Sequence, residues 1–220
     1  MKKITKLFLV FILAIAGIGA LSACSKQDSK SYDPGKTVKK TLTTKTFSRI
    51  KANLEISDVT IRSGKSFKVL YHGGSKLKPE VKINNGTLII DQKKKMPSTI
   101  STSATKLTII IPAGKLNNLS VENDAGDISI IKANVVRKAK LEADSGDINI
   151  TNSKIARADI ETDSGDINIS HTPFDGYDLE ADSGDIDFFD KNVENGSFKK
   201  NAHAQHLLKA ESDSGDITIQ

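Results

Sequence analysis

Apolar and polar residues alternate in short runs through residues 119–220, and the runs recur. In Ala139–Ile150, Ala139, Leu141 and Ala143 alternate with Lys140, Glu142 and Asp144; after a Ser145-Gly146 corner, Ile148 and Ile150 alternate with Asp147 and Asn149. Period-two alternation over so few residues predicts strands with one buried face. The string D-S-G-D-I occurs four times in the last 80 residues, and D-A-G-D-I precedes them once. The glycines are Gly126, Gly146, Gly165, Gly184 and Gly215, at steps of 20, 19, 19 and 31 residues. Gly supplies the positive φ of a sharp corner, and Asp and Ser bond neighbouring backbone N–H groups there. Each repeat therefore predicts strand, corner, strand and return.

One such unit cannot bury its apolar face alone, so repeats at this period predict stacked coils of about 20 residues in an all-β solenoid. The expected inner stacks, in chain order, are Ile128, Ile148, Ile167, Ile186, Ile217 and Ile130, Ile150, Ile169, Phe188, Ile219. A third runs Val121, Leu141, Ile160, Leu179, Ala210, weakest in its last member. Small or polar residues precede each corner: Asn123, Ala143, Thr162, Ala181 and Ser212.

The outer positions carry acid. Glu122, Glu142, Glu161, Glu180 and Glu211 form one expected ladder and the two Asp of each corner form two more, together 15 of the chain's 27 carboxylates. Like charges one strand apart repel by roughly 1 kcal/mol per pair in water. Backbone N–H groups, interleaved cations or a ligand must offset that. The ladder is the candidate binding surface.

Upstream, Phe47–Ile61 alternates and reads as a degenerate copy of the unit that keeps a Glu, at Glu55. Phe67–Tyr71, Glu80–Ile83, Thr87–Asp91, Lys106–Ile111 and Leu116–Val121 read as further strands, with an Asn85-Gly86 hairpin turn. Lys93–Lys95 reads as a solvated loop. No long helical pattern is present. Residues 45–220 read as one domain, regular from 119 onward. The long step between Gly184 and Gly215 holds an insertion, Lys191–His206.

The first residues have a different character. Lys2, Lys3 and Lys6 precede the apolar run Leu7–Ala20, too short to span a bilayer comfortably, and Leu21-Ser22-Ala23-Cys24 follows. This pattern resembles a bacterial lipoprotein signal. It gives a removable segment 1–23, lipidation at Cys24, export, and a lipid anchor on the outer face of the cell membrane. Cys24 is the single Cys, so the chain forms no internal disulfide. Residues 24–44, rich in Ser, Thr and Lys, read as a flexible tether.

Charge divides along the chain. Residues 1–120 hold 22 Lys+Arg against 6 Asp+Glu, a net of +16; residues 121–220 hold 10 against 21, a net of −11. The basic part suits anionic lipid or wall polymer, and the acidic part suits cations and cationic peptides. An acidic half, in a chain with 8 Phe, 3 Tyr and no Trp, gives no platform for nucleic acid.

Other chemistry is weaker. Asp144, Asp163, Asp182 and Asp213, with Asp147, Asp166, Asp185 and Asp216, are candidates for sharing Ca²⁺ between coils, but ordinary turn bonding is the favoured reading and no other cofactor is expected. A calcium-stabilised scaffold is thus the alternative function. A carboxylate-based polysaccharide enzyme is disfavoured, because an acid and a base need unlike environments and these positions are near copies. His203 and His206 lie three apart, without a matching third ligand in the sequence nearby.

The lipobox, the F-x-x-I opening with D-V-x-I, the N-G-T-L-I-I segment and the S-G-D-I repeats together resemble a bacterial adhesin-like domain of unknown function. The resemblance covers about residues 45–220. It implies a right-handed β-solenoid, a non-catalytic role at the cell envelope with links to envelope-stress signalling, and no catalytic residues. A glycan, a cationic peptide or a surface protein are the partners expected. The chain runs out directly after the last repeat strand, which predicts an uncapped edge open to pairing with a second copy.

Overall fold

The computed structural model describes residues 33–92, 105–112, 116–193 and 196–220. The signal segment, Cys24 and the Lys93–Lys95 run lie outside them. Every element is a strand, and among the described residues there is no helix. The first part comprises β1 (Thr37–Thr43), β2 (Arg49–Leu54), β3 (Asp58–Gly64), β4 (Lys68–Gly74), β5 (Glu80–Asn84), β6 (Thr87–Asp91) and β7 (Lys106–Pro112). The repeats form strand pairs about each S-G corner: β8 (Leu116–Ala125) with β9 (Ile128–Ile131), β10 (Asn134–Ser145) with β11 (Ile148–Thr151), and β12 (Lys154–Ser164) with β13 (Ile167–Ser170). Next come β14 (Gly176–Ser183) with β15 (Ile186–Phe188), the short β16 (Asn192–Val193) and β17 (Ser197–Lys200), and finally β18 (Leu207–Ser214) with β19 (Ile217–Ile219).

Two sheets result, each parallel through its middle. One has the order β1-β4-β7-β3-β9-β11-β13-β19-β15-β16, the other β5-β6-β2-β8-β10-β12-β18-β14-β17. Their inner faces supply the core, in which Ile128, Ile148, Ile167, Ile186 and Ile217 are fully buried and in mutual register. Val59 and Leu107 extend that column toward the N-terminal strands.

The stacking order departs from the chain order expected. The last rung, β18–β19, lies between β12–β13 and β14–β15, paired on both sides. The expected uncapped C-terminal edge is therefore absent: Gln220 donates its N–H to the Ile169 carbonyl and accepts from the His171 N–H. The outermost rung is β14–β15, and the Lys191–His206 insertion caps it with the antiparallel strands β16 and β17. The physical reason lies in the side chains. Phe188 replaces Ile in its column and meets Tyr177 at 4.8 Å and Phe198 at 4.3 Å, an aromatic lid suited to an end and too bulky for a middle rung. Ala210, the weak apolar position, sits in the middle, between Ile160 and Leu179.

The other end is built alike. β6 and β7 lie outside β2 and β3, and the antiparallel strands β4 and β5 cover them. Asn85 and Gly86, both at positive φ, form the expected two-residue turn between β5 and β6. Thr37–Thr43, expected within the tether, pairs with β4 as an edge strand. It is held by backbone bonds with little side-chain burial, which is why no apolar periodicity announced it.

Candidate functional site

The corners of the repeats bring the predicted acidic positions together. Glu122, Glu142, Glu161, Glu211 and Glu180 are in direct register on the outer face of the second sheet, in that spatial order. Beside them at the corner stand Asp124, Asp144, Asp163, Asp213 and Asp182, all exposed. Around the corner, on the first sheet, stand Asp127, Asp147, Asp166, Asp216 and Asp185.

The column of corner glycines explains why the corner is so tight. A Cβ on Gly165 would lie 2.2 Å from the Gly146 carbonyl oxygen, and one on Gly184 would lie 2.1 Å from that of Gly215. Close backbone approach between rungs, as much as the positive φ at Gly146, requires glycine here.

Each second corner Asp is tied to its neighbour. Asp127 Oδ1 accepts the Asp147 N–H (3.0 Å), Asp147 Oδ1 that of Asp166 (2.9 Å), Asp166 Oδ1 that of Asp216 (2.9 Å), and Asp216 Oδ1 that of Asp185 (2.8 Å). Charge-assisted bonds to backbone N–H groups are about twice as strong as neutral ones. This row therefore staples the rungs together. At the opposite corner Ser153 and Thr172 do similar work: Ser153 Oγ accepts the Ala133 N–H, and Thr172 Oγ1 accepts the Ser153 N–H, each at 3.1 Å. Nothing in the S-G-D-I pattern pointed to that second staple.

Two members of the Glu row, Glu142 and Glu211, are each paired with a lysine two residues upstream. Across the second sheet runs a row of register partners, Lys140, Asp159, Lys209, Asp178 and Lys199, alternating in sign at every step. Lys140 donates to Glu142, Lys209 to Glu211 (3.1 Å), Lys138 to Asp159 (2.8 Å) and Lys199 to Asp178 (2.9 Å). The alternation exists only because the last rung is intercalated. Chain order would set Asp159 directly against Asp178.

The first-Asp row has no such relief. Burial against the corner raises the carboxyl pKa of Asp144 above its ordinary value, and Asp163, Glu122 and Glu142 add to the rise. Asp124 is raised by burial first, then by Asp144 and Glu122. A carboxyl raised on folding stabilises the fold below its unfolded pKa, and that contribution is lost as pH rises through the folded value. At neutral pH Asp144 is thus a net cost. Asp144→Asn is expected to raise Tm at pH 7, by no more than about 0.5 kcal/mol in stability, with the gain vanishing near pH 4. A lower Tm at pH 7 would contradict the assignment.

Glu55, in the degenerate copy upstream, lies outside the Glu ladder. Asn53 holds that register position and donates to Glu122 Oε2 at 3.2 Å, while Glu55 stands at the first-Asp position. Among the described residues, no group of three or more His, Cys, Asp or Glu side chains is arranged to hold a metal ion. His203 and His206 lie in turns, with His206 Nδ1 3.2 Å from Asp175.

The opposite end is basic. Lys39, His72 and Lys106 are register partners across β1, β4 and β7, and with Lys40 they line an open groove of about 360 Å³ beside Leu70 and Tyr71. Burial pushes the Tyr71 hydroxyl up to about 12, and it donates to the Gly74 carbonyl at 2.7 Å. Among the described residues, this basic groove and the acidic corner lie toward opposite ends of the stack.

The Toastrack DUF4097 family model matches residues 47–220, the whole of this two-sheet stack from β2 onward. The chain belongs to the Toastrack DUF4097 family. The crystal structure of a candidate cell adhesion protein from Clostridium sporogenes has the same fold, with a TM-score of 0.59 at 17% identity, covering 84% of this chain and 98% of that one. A candidate adhesin from Bacteroides fragilis aligns over 86% of this chain and 100% of its own, at 13% identity and a TM-score of 0.41. None of the curated proteins matches the chain. No catalytic family is indicated among these similarities.

Proposed function

We propose that this Toastrack chain is a non-catalytic binding module of the cell envelope. On this reading it is exported, held on the outer face of the cell membrane by lipid on Cys24, and presents its acidic corner to a cationic partner. The observation that carries the reading is the corner itself. Five rungs align Glu and Asp in register on an exposed ridge, and burial with neighbouring carboxylates makes the charge on Asp124 and Asp144 a cost to the fold. A feature held against stability needs a use elsewhere. The candidate adhesion protein of C. sporogenes, which shares the fold, supports an adhesive role. The basic end suits anionic headgroups or wall polymer, so one molecule has a surface for each sign of charge. The envelope-stress context implied by the sequence resemblance belongs to the same proposal.

The test is binding of a lysine oligomer to the purified protein and to a Glu122→Gln, Glu142→Gln, Glu161→Gln variant. Three exposed attractions of about 0.5 kcal/mol each make the expected loss about tenfold at low salt, shrinking as salt is added. Unchanged affinity would remove the acidic ridge from the function.

A further inference from the structure

Next to the stapling Asp row, the first sheet carries a second row of side chains on its outer face. Thr108, Thr60, Ser129, Asn149, Asn168 and Thr218 are consecutive register partners across six strands. All six are half-buried, and all are uncharged hydrogen-bonding residues. No hydrogen bond among the described residues occupies the Asn149 or Asn168 amide, or the hydroxyls of Ser129 and Thr218. The neighbouring Asp127, Asp147, Asp166 and Asp216 each spend one carboxylate oxygen on the rung staple, which leaves the second oxygen as an acceptor. The result is two parallel tracks, one of amides and hydroxyls and one of carboxylate acceptors. Both repeat at the strand spacing of about 4.8 Å.

We infer that these tracks bind a linear amino-sugar polymer, bearing some free amino groups, that lies along the stack. This rests on the proposed function and names the class of cationic partner. Three features select it. An extended polymer of β-linked pyranose rings advances by close to one strand spacing per ring, and because successive rings are turned over, every second ring presents the same edge to the row. Amides and hydroxyls each donate and accept, which matches the several hydroxyls that each sugar ring carries. The Asp track complements protonated amines and repels an anionic polymer.

The experiment measures binding of chito-oligosaccharides to the purified protein by calorimetry, with N-deacetylated and fully acetylated forms of increasing length. The lysine oligomer runs in parallel. The variant is Asn149→Val, Asn168→Val, whose β-branched residues suit an outer strand position. Deacetylated oligomers are expected to bind more tightly as they lengthen to about six rings, one per residue of the row. The double variant is expected to lose about tenfold or more, from two amide bonds, with oligolysine affinity unchanged. Equal affinity of wild type and variant for the glycan would overturn the inference, as would preference for the acetylated form. Oligolysine binding without glycan binding would sink the inference and leave the acidic-ridge reading intact. Failure of both ligands would remove both. An unchanged Tm in the variant separates lost contacts from lost fold.

Discussion

A chain ending at His206 loses far more than its last 14 residues. Removal of Leu207–Gln220 takes a rung from inside the stack, where β18 joins β12 to β14 and β19 joins β13 to β15. The expected result is loss of amide protection in Gly176–Val193 and Ser197–Lys200, with protection kept in Arg49–Asp91 and Leu116–Glu122, read by hydrogen exchange. Leu208, Ala210, Ile217 and Ile219 are all essentially buried. Burying a large aliphatic side chain contributes roughly 1.5–3 kcal/mol, so the missing rung removes a sum comparable to a domain's whole stability of about 5–15 kcal/mol. A peptide of residues 207–220 added in trans is expected to restore protection. The competing outcome is direct pairing of β14 with β12, the order that the chain suggests. That pairing sets Asp159 against Asp178 without Lys209 between them. Retained protection in Gly176–Val193 and Ser197–Lys200 after the deletion would show that the charge row does not decide the order.

The second large effect is expected at the glycine column. Gly165→Ala places a methyl group 2.2 Å from the Gly146 carbonyl oxygen, a contact that only a shift of one rung against the next relieves. Such a shift also strains the Asp147-to-Asp166 and Asp166-to-Asp216 staples. The expected loss is about 3 kcal/mol, from strain and crowding together, or roughly 6–12 °C in Tm for a domain of this size. Gly86→Ala is the comparison, since its Cβ would meet nothing nearer than Ser48 Oγ at 3.5 Å. Its expected cost is about 1 kcal/mol, from positive φ alone. Equal losses at the two positions would mean that rung-to-rung crowding is not what selects glycine.

These residues also show how far the sequence carries. Period-two alternation located nearly every strand, because an inner face and an outer face leave opposite marks on one short run. The Glu and Asp rows were legible for the same reason: parallel stacking of near-identical repeats puts identical residues in register. The order of the last two rungs was not legible from spacing. Phe188 in an Ile column and Ala210 in a Leu column were the available signals, and Ala210 reads as a frayed end when taken alone. The alternating Lys140, Asp159, Lys209, Asp178 row was hidden by the same error. β1 escaped because an edge strand held by backbone bonds has no apolar face to display. The degenerate copy L-E-I keeps the letters of the repeat, while its backbone alignment puts Asn53 against Glu122. The Asn149–Asn168 track was visible letter by letter in D-I-N-I, but its meaning depends on which face of the sheet it occupies.

The central claim is that the acidic corner, rather than the basic end, meets the partner. Amide spectra of the purified protein titrated with a lysine oligomer test it most directly. The predicted result is a contiguous set of shifts at Glu122, Glu142, Glu161, Glu211 and Glu180 and at the corner Asp beside each, fading with added salt. Shifts scattered over the surface, or absent at the corner under saturating ligand, would contradict it.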